Sequence, residues 1–137
     1  MKDYWVSLKL KDIVSKKGLF CDGDWVEKKD QYQNGEVRLL QLSDIGDGFF
    51  KNNSNKKVTA KWALSNNCSF LKYNDILIAR MPEPLGRATL LPYKENNKYI
   101  TAVDVAILRI CNKNIIDKFI LYQINSPIIR VEIDKLI

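Results

Sequence analysis

Alternating apolar and polar positions predict β-strands through much of this 137-residue chain. The strands are predicted at residues 36–42, 75–80, 87–91 and 99–110, with a further short strand at 5–10. Polar, turn-rich sequence fills residues 20–34, and the stretch 58–64 fits either a strand or a short helix. The pattern therefore predicts a mostly β protein.

The period changes near the carboxyl end, where Ile116, Ile120 and Ile124 recur at helical spacing. Ser126, followed by a proline, is a suitable start for a second helix. We expect an α+β fold, a mostly β module with a twisted, partly barrel-like sheet, short peripheral helices and a C-terminal helical segment. Because no repeat or linker divides the chain, residues 1–137 are expected to form one domain.

The positive charge is concentrated in the middle of the chain. Residues 48–98 contain nine basic and three acidic side chains, an excess equal to the whole net charge of +6. Such a cluster is expected of a surface that binds the phosphates of nucleic acid. A solvated, lysine-rich face explains the charge equally well, so charge alone leaves both interpretations open.

The absence of histidine excludes several classes of enzyme, including Ser-His-Asp hydrolases, HNH-type nucleases and HExxH proteases. No phosphate-binding glycine motif is present, so we expect no catalytic residue, no cofactor and no metal site. Cys21, Cys68 and Cys111 are scattered and are expected to be small apolar residues in a reducing compartment. With no signal sequence or membrane span, the expected location is cytoplasmic.

Several motifs occur in a characteristic order. They are Trp-x-x-Leu-x-Leu-x-Asp-Ile at residues 5–13, Asp-Ile-x-x-Gly within 35–48, Asp-Ile-Leu-Ile-Ala-Arg at 75–80, Gly-Arg at 86–87 and Ile-Asn-Ser at 124–126. Together they resemble a target recognition domain of a type I restriction–modification specificity subunit. One departure is Asn74, where the pattern prefers glycine, and asparagine tolerates the same left-handed turn.

The resemblance implies a protein that reads double-stranded DNA without chemistry of its own. Such a domain reads one half of a bipartite site, while methyltransferase (M) and restriction (R) subunits modify or cut. The coiled-coil spacer and second recognition domain of a full subunit are expected to be absent, since no sustained heptad pattern follows. The alternative within this class is the recognition domain of a fused type II restriction–methyltransferase.

Major-groove base edges are read best by Arg, Lys, Asn and Gln, so polar loops in and near the basic region are the candidate site. The DNA-binding residues are predicted to be Arg38, Asn52, Asn53, Lys56, Lys57, Lys61, Arg80, Arg87, Asn96, Asn97 and Lys98. The loop between Arg80 and Arg87 belongs to the family pattern, so we expect it to contact phosphate or support the fold. Arg80 is expected to pair with a carboxylate such as Asp104.

Rival classes remain open from sequence. A metal-dependent nuclease could use Asp44, Asp47 and Lys51 as its site. Residues 125–128 match a methyltransferase motif only in part, because they lack its aromatic residue. A protein-interaction module without DNA binding is a further alternative. Four aromatic residues are expected to lie in the core rather than to stack on bases, namely Trp25, Phe49, Phe50 and Trp62.

Overall fold

Two β-sheets and two short helices form the fold, which is α+β and mostly β, as expected. The computed structural model describes residues 18–82, 84–111 and 117–126. The strand predicted at residues 5–10 and the helix predicted from Ser126 onward lie outside these described residues, apart from Ser126 itself. The two sheets are separate and do not close into a barrel within the described part of the chain.

The larger sheet has four antiparallel strands in the order β1-β7-β4-β5. Its strands are β1 (Leu19–Cys21), β4 (Ile76–Ala79), β5 (Ala88–Leu90) and β7 (Val105–Arg109). β4 and β5 correspond to the strands predicted at residues 75–80 and 87–91. β1 was not predicted, because its three residues lie at the start of a stretch whose other residues are polar.

The smaller sheet has three strands in the order β3-β2-β6. They are β2 (Val37–Leu40), β3 (Lys57–Val58) and β6 (Tyr99–Thr101). β2 pairs antiparallel with β3 and parallel with β6, which is distant in the sequence. The region 99–110 therefore forms two strands that belong to different sheets.

The helices are α1 (Ala60–Ser65) and α2 (Asp117–Ile124). Thr59 caps the amino-terminal end of α1, because its hydroxyl oxygen accepts a hydrogen bond from the backbone N–H of Trp62 at 3.0 Å. The ambiguous stretch 58–64 is thus the end of one strand followed by a helix. Two single-turn 3-10 helices complete the described elements, at Lys28–Asp30 and Leu42–Asp44.

Side-chain alternation along the strands sorts the core into three clusters. The central cluster lies between the sheets and contains Leu40, Leu77 and Ile107. A second cluster lies between the smaller sheet and α1 and includes Val37, Leu39, Val58, Ala63 and Ile100. The third lies between the larger sheet and α2 and includes Ile76, Ala88, Leu108 and Ile124. Both sheets are therefore covered on both faces.

The expectation that four aromatic side chains lie in the core is wrong for two of them. Trp25 is 72% exposed and Phe49 is 57% exposed, whereas Phe50 and Trp62 are partly buried against the core. Trp25 and Phe49 lie in connecting segments rather than on a sheet face, so no strand alternation turns their side chains inward.

Candidate nucleic-acid interface

Strand pairing in the smaller sheet gathers three of the predicted DNA-binding residues. Arg38 on β2 lies opposite Lys57 on one side and opposite Tyr99 on the other. The backbone N–H of Arg38 donates to the carbonyl oxygen of Lys98 at 2.8 Å. Here the surface forms a shallow depression of about 280 Å³, lined by Gly35, Glu36, Arg38, Lys57, Glu95, Lys98 and Tyr99.

The loop that carries two of the four predicted asparagines is anchored by Asp44, which has no exposed surface. One oxygen of its carboxylate accepts the backbone N–H groups of Asn53 at 2.7 Å and Ser54 at 2.8 Å. The other accepts the Ser54 hydroxyl and the backbone N–H of Gln41. The loop 51–56 therefore has a defined backbone, even though its side chains are mostly exposed.

These hydrogen bonds control the ionisation of Asp44. Burial raises the pKa of its carboxyl group, but the hydrogen bonds from Ser54, Gln41 and Asn53 outweigh burial and leave the pKa below its usual value. The carboxylate is therefore ionised at neutral pH. It also accepts a hydrogen bond from Nη2 of Arg38 at 3.2 Å, so the anchor of the loop also orients the arginine in the depression.

Arg38 is held between this carboxylate and a group of aromatic rings. Its guanidinium carbon lies 6.0 Å from the centre of the Phe50 ring. Phe50 contacts Tyr93 edge to face at 5.5 Å, and Tyr93 stacks on Tyr99 at 4.7 Å. The Nε atom of Arg38 is buried and has no hydrogen-bond partner within the described residues. Its side chain is 18% exposed, at the depression.

Two asparagine turns lie close in the sequence to residues that line the depression. Asn52 and Asn97 adopt positive φ angles of 57° and 59°, a left-handed conformation that asparagine accepts more readily than most residues. The first turn leads through Lys56 into β3, and the second leads through Lys98 into β6. The predicted residues of these turns are all exposed, namely Asn52, Asn53, Lys56, Asn96, Asn97 and Lys98.

The lysines at this surface form no close ion pair within the described part of the chain, although the charge of Lys98 adds to the hydrogen bond from Ala60 in lowering the pKa of Glu36. The ion pairs found there involve Lys29, Arg38, Arg80 and Arg109, and none involves Lys56, Lys57 or Lys98. Free, exposed ammonium groups are available to phosphate oxygens.

Two carboxylates also line the depression. Glu36 accepts the backbone N–H of Ala60 at 3.1 Å, and Glu95 accepts the Tyr99 hydroxyl at 3.4 Å.

The structure places Arg87 inside the protein. Its guanidinium donates to the carbonyl oxygens of Ile45 at 2.7 Å, Leu42 and Met81 at 3.1 Å, and Pro84 at 3.2 Å. It therefore ties the proline loop to the turn that contains Asp44. Of the two roles expected of this loop, support of the fold accounts for Arg87, because a residue that is 6% exposed has little surface for DNA.

Arg80 and Lys61 lie away from the depression. Arg80 follows β4 and forms an exposed ion pair with Asp22 at 3.1 Å, so its partner is a carboxylate, as expected, but Asp22 rather than Asp104. The contact between Arg80 and Asp104 is a hydrogen bond from the backbone N–H of Arg80 to the carbonyl oxygen of Asp104 at 2.8 Å. Lys61 is exposed on α1, which covers the opposite face of the smaller sheet from Arg38.

Other motif residues support the fold around the site. The side-chain amide of Asn125 accepts the backbone N–H of Ala88 at 2.9 Å and donates to its carbonyl oxygen at 3.0 Å, which ties α2 to β5. Asn74 has a φ of 68°, so the left-handed turn expected from sequence is confirmed. Arg109 holds the buried Asp75 through two hydrogen bonds of 2.9 Å and 2.8 Å.

The anchoring role of Asp44 is the main feature that sequence reasoning missed. It was considered only as a metal ligand beside Asp47 and Lys51, yet hydrogen bonds occupy both of its oxygens. Its position three residues after Gln41, whose backbone N–H it accepts, was the available sign of a capping role. Glu36, Glu95 and Tyr99 were also missed, because their proximity depends on the parallel pairing of β2 with β6.

No group of three or more Cys, Asp or Glu side chains within the described residues could hold a metal ion. Burial and the neighbouring Asp24 raise the pKa of Cys68 to about 11, and burial likewise raises the pKa of Cys21, so both thiols are protonated at neutral pH. None of the described helices is long and apolar enough to cross a membrane.

Comparison with known proteins gives a likeness in structure alone. A scan against protein-family models and a search of curated proteins both give no match. Among solved structures, the chain is similar to the HsdS subunit from Thermoanaerobacter tengcongensis, with a TM-score of 0.61 and 15% sequence identity. The match covers 93% of this chain and 28% of that chain. The two proteins therefore share a fold, and this chain spans less than a third of the HsdS chain.

Proposed function

We propose that this chain is a DNA target recognition domain of a type I restriction–modification specificity subunit. It reads one half of a bipartite site in double-stranded DNA and has no catalytic activity of its own. Its proposed partners in the assembly are the methyltransferase and restriction subunits. The fold shared with HsdS, the specificity subunit of a type I system, supports this assignment.

The observation that carries the proposal is the surface around the depression. Arg38, Lys57 and Lys98 come from three strands or their ends and line one surface. The turn at Asn97 directly precedes Lys98, and the loop of Asn53 shares the carboxylate of Asp44 with Arg38. Exposed lysines suit phosphates, while Asn and Arg suit base edges. Cations and asparagines close together are what a duplex-reading surface needs, and a solvated lysine-rich face would not require the loop 51–56 to be anchored by Asp44.

Duplex binding at low ionic strength is the first test. Each phosphate neutralised by a cation contributes about 0.9 to the slope of log affinity against log salt concentration. We expect weak binding that falls steeply with salt, measured by fluorescence anisotropy with a labelled duplex of randomised sequence. Absence of any binding at low salt would contradict the proposal.

A pair of charge-matched variants tests the location of the surface. The double variant Lys56→Ala/Lys57→Ala should lower the salt slope by about 2, because two phosphate contacts are lost. The control Lys28→Ala/Lys29→Ala removes the same charge from the exposed 3-10 turn away from the depression. It should leave the slope unchanged. Equal effects of the two variants would show that the net charge, and not this surface, binds DNA.

A fused type II restriction–methyltransferase is the alternative context for the same recognition surface. DNA binding by the chain is expected in both contexts, so gene sequence flanking residues 1–137 distinguishes them. A coiled-coil spacer followed by a second recognition domain fits the type I assignment, and a methyltransferase domain in the same chain fits the type II one. A protein-interaction module without DNA binding is excluded if the salt-dependent binding is observed.

A further inference from the structure

We infer that Arg38 is the base-reading residue of this surface and that the depression in which it lies recognises the guanine of a G·C pair. This assignment rests on the proposed function, because it names the part of the DNA that one subsite contacts. It separates the roles of neighbouring cations, with Arg38 at a base edge and Lys57 and Lys98 at the phosphates beside it.

The unmatched donors of Arg38 are the first argument. A guanidinium carries five N–H donors, and nearly all buried polar groups in proteins have a partner. Within the described residues, the hydrogen bond of Arg38 is the one from Nη2 to Asp44, and the buried Nε has none. The other three described arginines use their guanidinium groups to hold carbonyl oxygens or carboxylates, namely Arg80, Arg87 and Arg109. Because Nε has almost no accessible surface, the donors left for a ligand are the N–H groups of the terminal Nη atoms that do not bind Asp44.

The fixed position of this guanidinium is the second argument. Asp44 holds one edge, and the ring of Phe50 lies 6.0 Å from the guanidinium carbon. An arginine that is already ordered loses less side-chain entropy when it binds, and a planar fork suits the O6 and N7 acceptors of guanine. Because Asp44 neutralises its charge, Arg38 adds little to the general attraction of phosphates, and its contribution is geometric.

The mixed lining of the depression is the third argument. Glu36 and Glu95 lie in the same depression as the cationic side chains. Carboxylates beside a binding position repel a phosphate, whereas they accept hydrogen bonds from the N4 amino group of cytosine. In the major groove, a G·C pair presents two acceptors of guanine next to this donor. Donors and carboxylate acceptors side by side therefore complement a base pair better than a phosphate.

Base analogues test the assignment without changing the protein. A preferred duplex is first selected from a randomised library by the 137-residue chain at low ionic strength. Each guanine of that duplex is then replaced in turn by 7-deazaguanine, which lacks the N7 acceptor. We expect one position to weaken binding by about 10-fold, within the range for a bidentate base contact, and the remaining guanines to have little effect.

The variant Arg38→Lys then links this position to Arg38. Lysine keeps a cation facing Asp44, but it lacks the planar fork. In the variant, we expect the penalty for 7-deazaguanine at that position to fall below about twofold, while the salt slope stays within about 0.3 of the wild-type value. Lys28→Ala is the control and should keep the full penalty. Thermal unfolding of each variant verifies that the proteins compared are folded.

The outcomes separate the two proposals. If the wild-type chain retains no duplex, the proposed function fails. If it binds duplexes without enriching any sequence, or if 7-deazaguanine has no effect at any position, the assignment of Arg38 to guanine fails and general DNA binding remains. An unchanged penalty in folded Arg38→Lys also overturns the assignment, because another residue would then read that base.

Discussion

The buried carboxylate of Asp44 accepts the backbone N–H of Asn53 at 2.7 Å, so an interior residue determines the path of an exposed loop. Successive N–H groups of the loop, on Asn53 and Ser54, bind the same oxygen. A loop held in this way loses less conformational entropy on binding than a free one. The backbone that carries the proposed asparagine readers is thus fixed while their side chains stay outside the core.

Replacing Asp44 should therefore destabilise the protein substantially. In Asp44→Asn the hydrogen-bond acceptor that faces the loop is weakened and Arg38 loses its counter-charge. Breaking a buried, hydrogen-bonded ion pair costs about 3–5 kcal/mol. The measurement is urea unfolding at neutral pH. Ser54→Ala removes one hydroxyl donor from the same carboxylate and should cost about 1 kcal/mol, so a similar loss in both variants would contradict the anchoring role.

The stability contributed by Asp44 should depend on pH. Its pKa is lowered in the folded chain, so this stability is present above the unfolded pKa of about 3.9 and is lost as the pH falls through the folded pKa. We expect the difference in unfolding free energy between wild type and Asp44→Asn to be constant from about pH 7 to about pH 5. Below about pH 4 the difference should shrink, and an unchanged difference there would refute the assigned ionisation.

Arg87 should be sensitive even to a conservative change. Arg87→Lys keeps the charge but loses the fork that reaches four carbonyl oxygens, and it should cost about 3 kcal/mol in unfolding free energy. Arg80→Lys is the matched control, because its ion pair with Asp22 is exposed and worth at most about 1 kcal/mol. Denaturant unfolding of both variants measures the contrast, and equal small losses would argue against the clamp.

Asn125 should control the docking of α2 on β5. Asn125→Ala removes both hydrogen bonds to the backbone of Ala88 and should cost about 1–3 kcal/mol. The amide of Ala88 should then exchange with solvent faster, as native-state hydrogen exchange would detect. Lys118→Ala, at an exposed position of the same helix, serves as the control. Unchanged exchange at Ala88 in Asn125→Ala would show that other contacts hold the helix.

Local sequence patterns predicted several of the observed strands and one helix. Alternation predicted β2, a short apolar run predicted β4 with β5 as its return, and apolar residues at helical spacing predicted α2, because these patterns follow directly from which side chains meet the core. The left-handed turn at Asn74 was likewise predicted, since it depends on the residue's own backbone preference. The short β1 was missed, because three residues are too few to establish a period.

The sequence by itself determined the class of fold, the concentration of charge between residues 48 and 98, and the absence of histidine chemistry. Tertiary structure alone decided which cations meet. Parallel pairing of β2 with β6 brings Lys98 to Arg38, and burial turns Arg87 into a clamp while Lys57 stays exposed. A lysine or arginine has the same charge wherever it falls in the sequence. Its partners and its burial depend on contacts between distant segments, which no local pattern encodes.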